Sequence, residues 1–428
     1  MKGDDDLGRS LQKARTTTSK RRNRANRAIN TTSHSIIETS DLASLLLEAE
    51  LADRNFEAER NKTVIFEVGD GKKEAENAEK GKKVFGLEAL QIPRRPKWNE
   101  RTTPAELARL EKQSFLEWRR KLANIEENQH ILITPYEKNL EIWRQLWRVV
   151  ENSDLLLHIV DARNPLLYYS QDFEKYVGEV SSNKRTALVL NKADLLTSEM
   201  RQKWSEYFLK KNIRFVFFSA KLENTADNIC GKNVLHHEIM SSEALIDFMK
   251  SFRSSSFVSM NNGKPFVVGL VGYPNVGKSS TINSLLKAKR TAVSSTPGKT
   301  KHFQTLFLEK DLLLCDCPGL VFPNFTHSKE ELICNGILPI DQLRDPLPPT
   351  EYVCRRVAGT YLKTLYGINL QQGEENKLDA RSLLERYATL RGFMTRNGNP
   401  DIQRSARIIL KDYVNARIVY CEPPPSPL

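Results

Sequence analysis

The spacing of apolar residues divides the first part of the chain into helices. Apolar residues recur at helical spacing over 41–50, and a second predicted helix runs over 104–120. A third predicted helix, over 137–150, places Trp143 and Trp147 on one face. Because a tryptophan stripe at this spacing is more often core than binding site, we expect both rings to be buried.

Beyond Asp154 the pattern changes to short, continuous apolar runs separated by amphipathic stretches. Such runs are typical of strands that are buried on both faces of a sheet. Strands that alternate with helices predict an α/β fold with a mostly parallel sheet and helices on both faces. The predicted strands are 155–160, 186–190, 214–218, 266–271, 305–308 and 312–315.

The chain becomes helical again beyond Pro346. Asn399 is the predicted N-cap of a helix whose first turn holds Pro400, and apolar residues line one face of that helix. Its other positions carry basic residues, so we expect a small helical domain with a basic surface. The prolines of 421–428 predict a tail without a fold.

Positive charge is concentrated at the start of the chain. The formal net charge is +12, with 65 Lys and Arg against 53 Asp and Glu, which favours polyanionic partners. Residues 7–37 hold many basic residues and no acidic one, so we expect a disordered arm over 1–40. The arm is a solvated tail, an import signal or, as we favour, an RNA-contacting segment.

Composition excludes several classes of protein. No apolar run is long enough to cross a bilayer and no apolar signal region follows the first residues, so we expect no stable membrane association. The six cysteines lack paired metal-ligand spacing, which favours reduced, structural thiols. We divide the chain into the basic arm (1–40), a helical and extended region (41–136), an α/β domain (137–345) with a linker over 222–262 that holds one helix near 242–252, a helical domain (346–420) and a tail (421–428).

The strongest chemical signal is the segment GYPNVGKS, 272–279, between a predicted strand and a predicted helix. In this context it predicts a phosphate-binding loop, because glycines let the backbone wrap around phosphate oxygens at a helix N-terminus. Lys278 is expected to contact the β- and γ-phosphates, and Ser279 to bind Mg²⁺. The predicted phosphate-binding residues are Gly272, Tyr273, Pro274, Asn275, Val276, Gly277, Lys278, Ser279 and Ser280.

Two further segments complete the predicted phosphate and metal site. Asp316 ends a predicted strand and begins Asp-Cys-Pro-Gly, so it is expected to hold Mg²⁺, while the Gly319 amide meets the γ-phosphate next to Pro318. A switch threonine that binds Mg²⁺ is expected at Thr300, with Thr296 as the alternative. The predicted Mg²⁺ ligands are Ser279, Thr300 and Asp316.

Two segments predict that the bound base is guanine. Asn191-Lys192-Ala193-Asp194 and Ser219-Ala220-Lys221 each follow a predicted strand. Asp194 is expected to accept the guanine N1 and N2 protons, whereas adenine would leave the carboxylate unpaired. The predicted guanine-binding residues are Asn191, Lys192, Asp194, Ser219, Ala220 and Lys221, and the predicted ligand is GTP.

The order of these motifs is permuted, because the guanine motifs precede the phosphate-binding loop. The fold predicted is therefore a circularly permuted P-loop GTPase domain. In such a domain the termini of the ordinary GTPase fold are joined, and the chain begins and ends at another point of the fold. The segment after Gly319 leads into the C-terminal helices, so we hypothesise that loss of the γ-phosphate moves them. Leu320 stands where many GTPases carry a water-orienting glutamine, which predicts slow intrinsic hydrolysis.

With its motifs in this order, the chain resembles the circularly permuted GTPases of ribosome assembly and, among them, the cytoplasmic large-subunit branch of eukaryotes. The resemblance extends over about 41–420. It is carried by LLLEAELADRNFEAER (45–60), ALQIPRRPKW (89–98), FLEWRRKLA (115–123), the stretch 134–167, SKEELICNGILPIDQLRD (328–345) and NPDIQRSARIILKDYV (399–414).

The resemblance implies a GTP hydrolase that binds pre-60S subunits through rRNA and ribosomal proteins. It further implies late maturation in the cytoplasm, shuttling through the nucleus, and release of a nuclear-export adaptor. Asn275 is then expected to help bind K⁺ beside the phosphates, which makes Lys278, Thr300, Gly319 and Asn275 the expected catalytic group. The alternative is a non-catalytic placeholder that binds rRNA and proteins and is gated by nucleotide.

Overall fold

A computed structural model describes residues 90–129, 133–222, 236–253, 265–287, 304–324, 328–369, 374 and 378–425. The predicted basic arm over 1–40 and the predicted helix over 41–50 lie outside the described residues. The candidate switch threonines, Thr296 and Thr300, also lie outside them.

The described part of the chain forms a seven-stranded sheet with the strand order β4-β3-β2-β1-β5-β7-β6. All neighbouring strands are parallel except β6 and β7, which confirms the predicted mostly parallel sheet. Central strand β1 is buried along its whole length and joins β2 to β5. The strands are β1 Leu155–Asp161, β2 Arg185–Asn191, β3 Phe215–Phe218, β4 Ile239–Met240, β5 Phe266–Val271, β6 Gln304–Glu309 and β7 Leu312–Asp316.

Helices precede, separate and follow the strands. They are α1 Pro104–Gln129, α2 Leu140–Asn152, α3 Pro165–Tyr168, α4 Gln171–Val180, α5 Ser198–Lys210, α6 Ser242–Ser251, α7 Lys278–Leu285, α8 Lys329–Cys334, α9 Leu347–Arg356, α10 Gly359–Tyr366, α11 Ala380–Arg391 and α12 Ile402–Val414. Trp143 and Trp147 of α2 are fully buried, as expected. None of the described helices has the length and apolar character to cross a membrane.

The C-terminal helices pack on one another. Helix α12 contacts α9 and α11, and α8 contacts both α9 and α12. Helical packing therefore begins at α8, before the boundary expected at Pro346. The division of the chain into domains stays a prediction.

The start of α12 differs from the predicted one. Asp401, not Asn399, is the N-cap, because its Oδ1 accepts a hydrogen bond from Arg404 N at 2.9 Å. Pro400 is held outside the helix, where it forms a β-bridge with Met394. The prediction of Asn399 as the cap and of Pro400 in the first turn is therefore wrong.

Two segments predicted to lie outside the folded elements belong to the fold. Strand β4 lies within the predicted linker over 222–262, yet it pairs with β3 and extends the sheet. In the predicted tail, Glu422 N donates to Arg163 O at 2.7 Å and Glu422 O accepts from Trp204 Nε1 at 3.1 Å. Both segments therefore contribute contacts to the fold, while their assignment as linker and tail stays a prediction.

Candidate nucleotide site

The predicted site residues gather at one edge of the sheet. The phosphate-binding loop follows β5, Asp316 ends β7, and the two guanine motifs follow β2 and β3. Because these strands are parallel, their carboxyl ends meet at the same edge, where ligands of open α/β sheets bind. The permuted order of the motifs along the chain thus still produces one site.

The phosphate-binding loop curls around the ammonium group of Lys278. Its Nζ donates hydrogen bonds to Gly272 O at 2.8 Å and to Tyr273 O at 2.6 Å. Asn275 and Gly277 have left-handed backbones, with φ of 60° and 97°, which turn the loop towards α7. Burial lowers the pKa of Lys278 to about 8, although the nearby carboxylate of Asp316 opposes the shift.

The guanine motif touches the phosphate-binding loop directly. Asn191 Nδ2 donates to Val276 O at 2.8 Å, and Asn191 is almost fully buried. A Cβ atom on Gly277 would lie 2.2 Å from Asn191 Nδ2, so only glycine lets the loop approach this side chain. The two motifs, 85 residues apart in sequence, are therefore in contact.

Asp316 is a buried carboxylate without a partner among the described residues. It is 1% exposed and neither of its oxygens has a hydrogen-bond partner there. Burial raises its pKa to about 6, although Lys278 pulls the pKa down. A buried carboxylate of this kind fits Mg²⁺ and its water shell, since carboxylate and hydroxyl oxygens are ligands that the ion prefers.

The other predicted Mg²⁺ ligands are Ser279 and Thr300. Ser279 and Ser280 lie in the first turn of α7, directly after Lys278. Thr300, predicted as both a catalytic and a metal-binding residue, is outside the described residues. The metal contacts themselves stay predictions.

The segment after Asp316 packs tightly on the phosphate-binding loop. A Cβ atom on Gly319 would lie 2.9 Å from Pro274 Cα, so glycine is required for this approach. Pro318 is buried, and Leu320 N donates to Gly272 O at 3.3 Å. The Leu320 side chain is fully buried, and an apolar side chain in the core cannot orient an attacking water.

The residues beyond Leu320 are held by the N-terminal region. Glu137 N donates to Val321 O at 3.0 Å, and Thr134 N donates to Asn324 O at 2.8 Å. Asn324 N in turn donates to Thr134 Oγ1 at 3.0 Å. The path from Gly319 towards the C-terminal helices therefore runs along the region just before α2, a contact that sequence reasoning missed.

The two guanine motifs are bonded to each other. Ser219 Oγ donates to Asp194 Oδ1 at 2.6 Å and accepts from Lys221 N at 3.3 Å. This hydrogen bond orients the Asp194 carboxylate that is expected to accept the guanine protons. Ala220 lies between Ser219 and Lys221 in sequence and is half-buried. Its amide belongs to the same turn as these two residues.

Lys192 connects the guanine motif to a buried acid that was not predicted. Its Nζ donates to Asp161 Oδ2 at 2.7 Å and to Asn275 O at 2.9 Å. Burial alone would raise the pKa of Asp161, but Arg163 and Lys192 hold that pKa well below its usual range.

Sequence reasoning therefore missed Asp161 and Arg163. The signal was available, because Asp161 ends a continuous apolar strand, just as Asn191 and Asp316 do. Asp161 and Arg163 were overlooked because neither belongs to a phosphate or base motif.

Comparison with known proteins finds a family profile and a solved structure that are similar to this chain. The profile of the family described as 50S ribosome-binding GTPase matches residues 267–343. The crystal structure of GNP-bound YlqF from T. maritima is 23% identical, covers 66% of this chain and 97% of that chain, and superposes with a TM-score of 0.41.

Two relatives match across most of the chain. Large subunit GTPase 1 of Saccharomyces cerevisiae is 44% identical over 440 residues, covering 91% of this chain and 68% of that protein. The large subunit GTPase 1 homolog of Homo sapiens is 38% identical, covering 92% of this chain and 76% of its own length. With identity of this extent, the chain belongs to the large subunit GTPase 1 family.

Proposed function

We propose that this circularly permuted GTPase binds the pre-60S ribosomal subunit and hydrolyses GTP there during late maturation. The observation that carries the proposal is the contact of Asn191 with Val276, which closes the guanine and phosphate motifs into one site. The relatives are named for the large subunit, and the matching family is described as ribosome-binding. These names support the choice of partner.

The site has a phosphate half (272–280 and 316–319) and a guanine half (191–194 and 219–221, with Asp161). Each half has its own role in binding GTP. Asp194 and Asn191 read the base, and Lys278 neutralises phosphate charge at the N-terminus of α7. Asp316 and Ser279, with Thr300, would hold Mg²⁺, which neutralises charge that develops on the phosphates.

Hydrolysis requires help that Leu320 cannot give. Leu320 is fully buried and cannot orient water, so another group has to supply this assistance. We propose that K⁺ bound beside Asn275 contributes, together with the ribosomal subunit. Asn275 Nδ2 donates to Gly336 O at 2.7 Å, which turns the side-chain oxygen, the atom that suits a cation, away from that carbonyl.

The resemblance supports a more detailed proposal about place and outcome. The chain acts in the cytoplasm, shuttles through the nucleus, and couples hydrolysis to release of the nuclear-export adaptor. The basic arm over 1–40 contacts rRNA, since its charge suits a polyanion. Loss of the γ-phosphate is transmitted through the segment after Gly319 to the C-terminal helices.

Burial of Leu320 favours a second candidate function. In this alternative the chain is a non-catalytic placeholder on the subunit, and nucleotide only sets its conformation. GTP turnover by the full chain, measured in K⁺ and in Na⁺, with and without large subunits, separates the two. We expect both K⁺ and subunits to raise turnover, and a Lys278→Ala chain to show none.

The results of this experiment distinguish the two candidate functions. Subunit binding that depends on nucleotide, without stimulated turnover, would favour the placeholder. Turnover that is stimulated by neither subunits nor K⁺, in a chain that does not bind subunits, would contradict the ribosomal proposal.

A further inference from the structure

Arg163 joins the end of β1 to the last turn of α12. Its Nε and Nη2 donate to the Asp161 carboxylate, at 3.0 Å from Oδ1 and 2.7 Å from Oδ2. On its other side, Nη1 donates to Tyr413 O at 3.0 Å and Nη2 to Val414 O at 3.4 Å. The last carbonyls of a helix lack intrahelical partners and carry partial negative charge, so a buried guanidinium suits them.

The same carboxylate holds the guanine motif. Asp161 accepts from Lys192 Nζ at 2.7 Å, and Lys192 also donates to Asn275 O of the phosphate-binding loop. Asp161 and Arg163 are 1% and 5% exposed. Because charges at this depth are costly unless their partners are in place, the Asp161 carboxylate depends on both of its cations, Arg163 and Lys192.

A second contact leads from the site to the same helix end. Asn275 Nδ2 donates to Gly336 O, and a Cβ atom on Gly336 would lie 2.7 Å from Val414 Cγ1. The end of α12 is thus connected to both halves of the nucleotide site. The contacts form a closed ring through Asn275, Gly336, Val414, Arg163, Asp161 and Lys192.

We infer that Arg163 is a positioning residue through which docking of α12 sets the affinity of the site for guanine nucleotides. When α12 is docked, its terminal carbonyls fix the guanidinium, which fixes Asp161 and thereby Lys192. Coupling between two sites is reciprocal, so bound nucleotide also stabilises the end of α12. The route ends at the base motif and at the backbone of the phosphate-binding loop, so GDP and GTP share it equally.

This inference rests on guanine nucleotide binding and not on the ribosomal partner. The variant Arg163→Lys keeps a charge beside Asp161 but loses the planar fork that spans both partners. We expect GDP and GTP to bind about tenfold more weakly, with an unchanged ratio between them, as a coupling of ordinary size gives. Equilibrium binding of fluorescent GDP and GTP analogues to the full chain measures this.

Arg386 provides the matched control. It lies in α11 and pairs with Glu374, with 3.0 Å between Nη2 and Oε1, so it anchors the C-terminal helices without touching the ring. Arg386→Lys should bind both nucleotides as the wild type does. Equal weakening in both variants would mean a general loss of stability and would overturn a specific role for Arg163.

Amide hydrogen exchange tests the reciprocal effect. Saturating GDP should slow exchange at the last turn of α12 in the wild type, and this slowing should be lost in Arg163→Lys at saturating GDP. A purely structural arginine would leave the response to GDP intact. If GDP binds the wild type without changing exchange in α12, the inference is overturned even if the variant fails to fold, and if GDP does not bind at all, the nucleotide site itself is refuted.

Discussion

In the phosphate half of the site Asp316 is buried without a hydrogen-bond partner among the described residues, whereas in the guanine half Asp194 is bonded to Ser219. The lysines of the two halves differ in the same way. Among the described residues Lys278 donates only to backbone carbonyls, while Lys192 is paired with a carboxylate. One half leaves charge unpaired and the other pairs it within the protein.

The pKa values of the buried carboxylates also differ between the two halves. Burial raises the pKa of Asp316 to about 6, while Arg163 and Lys192 overcome burial and hold the pKa of Asp161 well below its usual range. The guanine half is therefore organised before ligand binds, which lowers the cost of ordering it. We expect the phosphate half to reach a favourable electrostatic state only when phosphates and a cation are bound.

The largest effect is expected in the phosphate half. Lys278→Ala should weaken GDP and GTP binding on the order of a thousandfold, because truncating one partner of a buried charged contact costs about 2–5 kcal/mol. Calorimetric titration measures the loss. Lys210→Ala, on the exposed face of α5, is the control and should bind normally. Near-normal affinity in Lys278→Ala would remove this lysine from the site.

A change in the guanine half should alter selectivity. Asp194→Asn presents an amide donor where guanine needs an acceptor, so GTP affinity should fall about a hundredfold while xanthosine triphosphate binds better. Competition binding with the two nucleotides checks this. The exposed Asp247 offers a control, since Asp247→Asn should leave selectivity unchanged. Unaltered guanine preference in Asp194→Asn would contradict the role of Asp194.

The buried carboxylate of Asp316 predicts a pH dependence of stability that is opposite in sign to that of Asp161, whose pKa is lowered. Because the pKa of Asp316 is raised from 3.8 to about 6, the folded chain holds a proton there that the unfolded chain has lost in this interval. The Asp316 contribution to stability without nucleotide therefore falls as pH rises from about 4 to 6. Denaturant unfolding at several pH values should show this slope, and Asp316→Asn should remove it.

We expect the same titration to affect Mg²⁺ binding. Below about pH 6 a proton competes with Mg²⁺ for Asp316, so the gain in GTP affinity from Mg²⁺ should fall about tenfold between pH 7 and pH 5. Asp316→Asn should show a small gain at every pH. A Mg²⁺ effect that is independent of pH in the wild type would place the ion elsewhere.

The smallest effect is expected at the contact with α12. Gly336→Ala puts a Cβ atom 2.7 Å from Val414 Cγ1 and keeps a strained φ of 70°, so GDP should bind about threefold more weakly. Val414→Ala in the same chain should restore part of the affinity. Fluorescence titration with GDP resolves this difference.

Gly367 separates strain from contact. It has a φ of 69°, but a Cβ atom there would meet its nearest neighbour only at 4.0 Å. Gly367→Ala should lower stability by a similar amount and leave GDP binding unchanged. Equal loss of affinity in both variants would mean that backbone strain, rather than displacement of Val414, is responsible.

The strands and the edge of the sheet at which the motifs meet could be predicted from the sequence. Each predicted strand lies within a residue of an observed one, but β6 is an exposed edge strand and not, as its apolar run predicted, a strand buried on both faces. The position of Asp316 and of the guanine motifs at one sheet edge follows from parallel pairing. Strand β4 was missed because its two residues are too short to show a pattern.

Long-range contacts could not be predicted from patterns. Helix α12 begins at Ile402 because Pro400 is engaged with Met394, a pairing invisible in local propensity. The bond from Arg163 to Tyr413 O joins residues 250 positions apart and ends on a backbone carbonyl, which leaves no side-chain signature.

The central claim is that two sets of motifs in permuted order close around one guanine nucleotide. A crystal structure of the full chain with Mg²⁺ and a non-hydrolysable GTP analogue tests it directly. We expect one nucleotide whose base is bonded to Asp194 and whose phosphates contact Lys278. A nucleotide held by Lys278 with its base away from Asn191 and Asp194 would contradict the account.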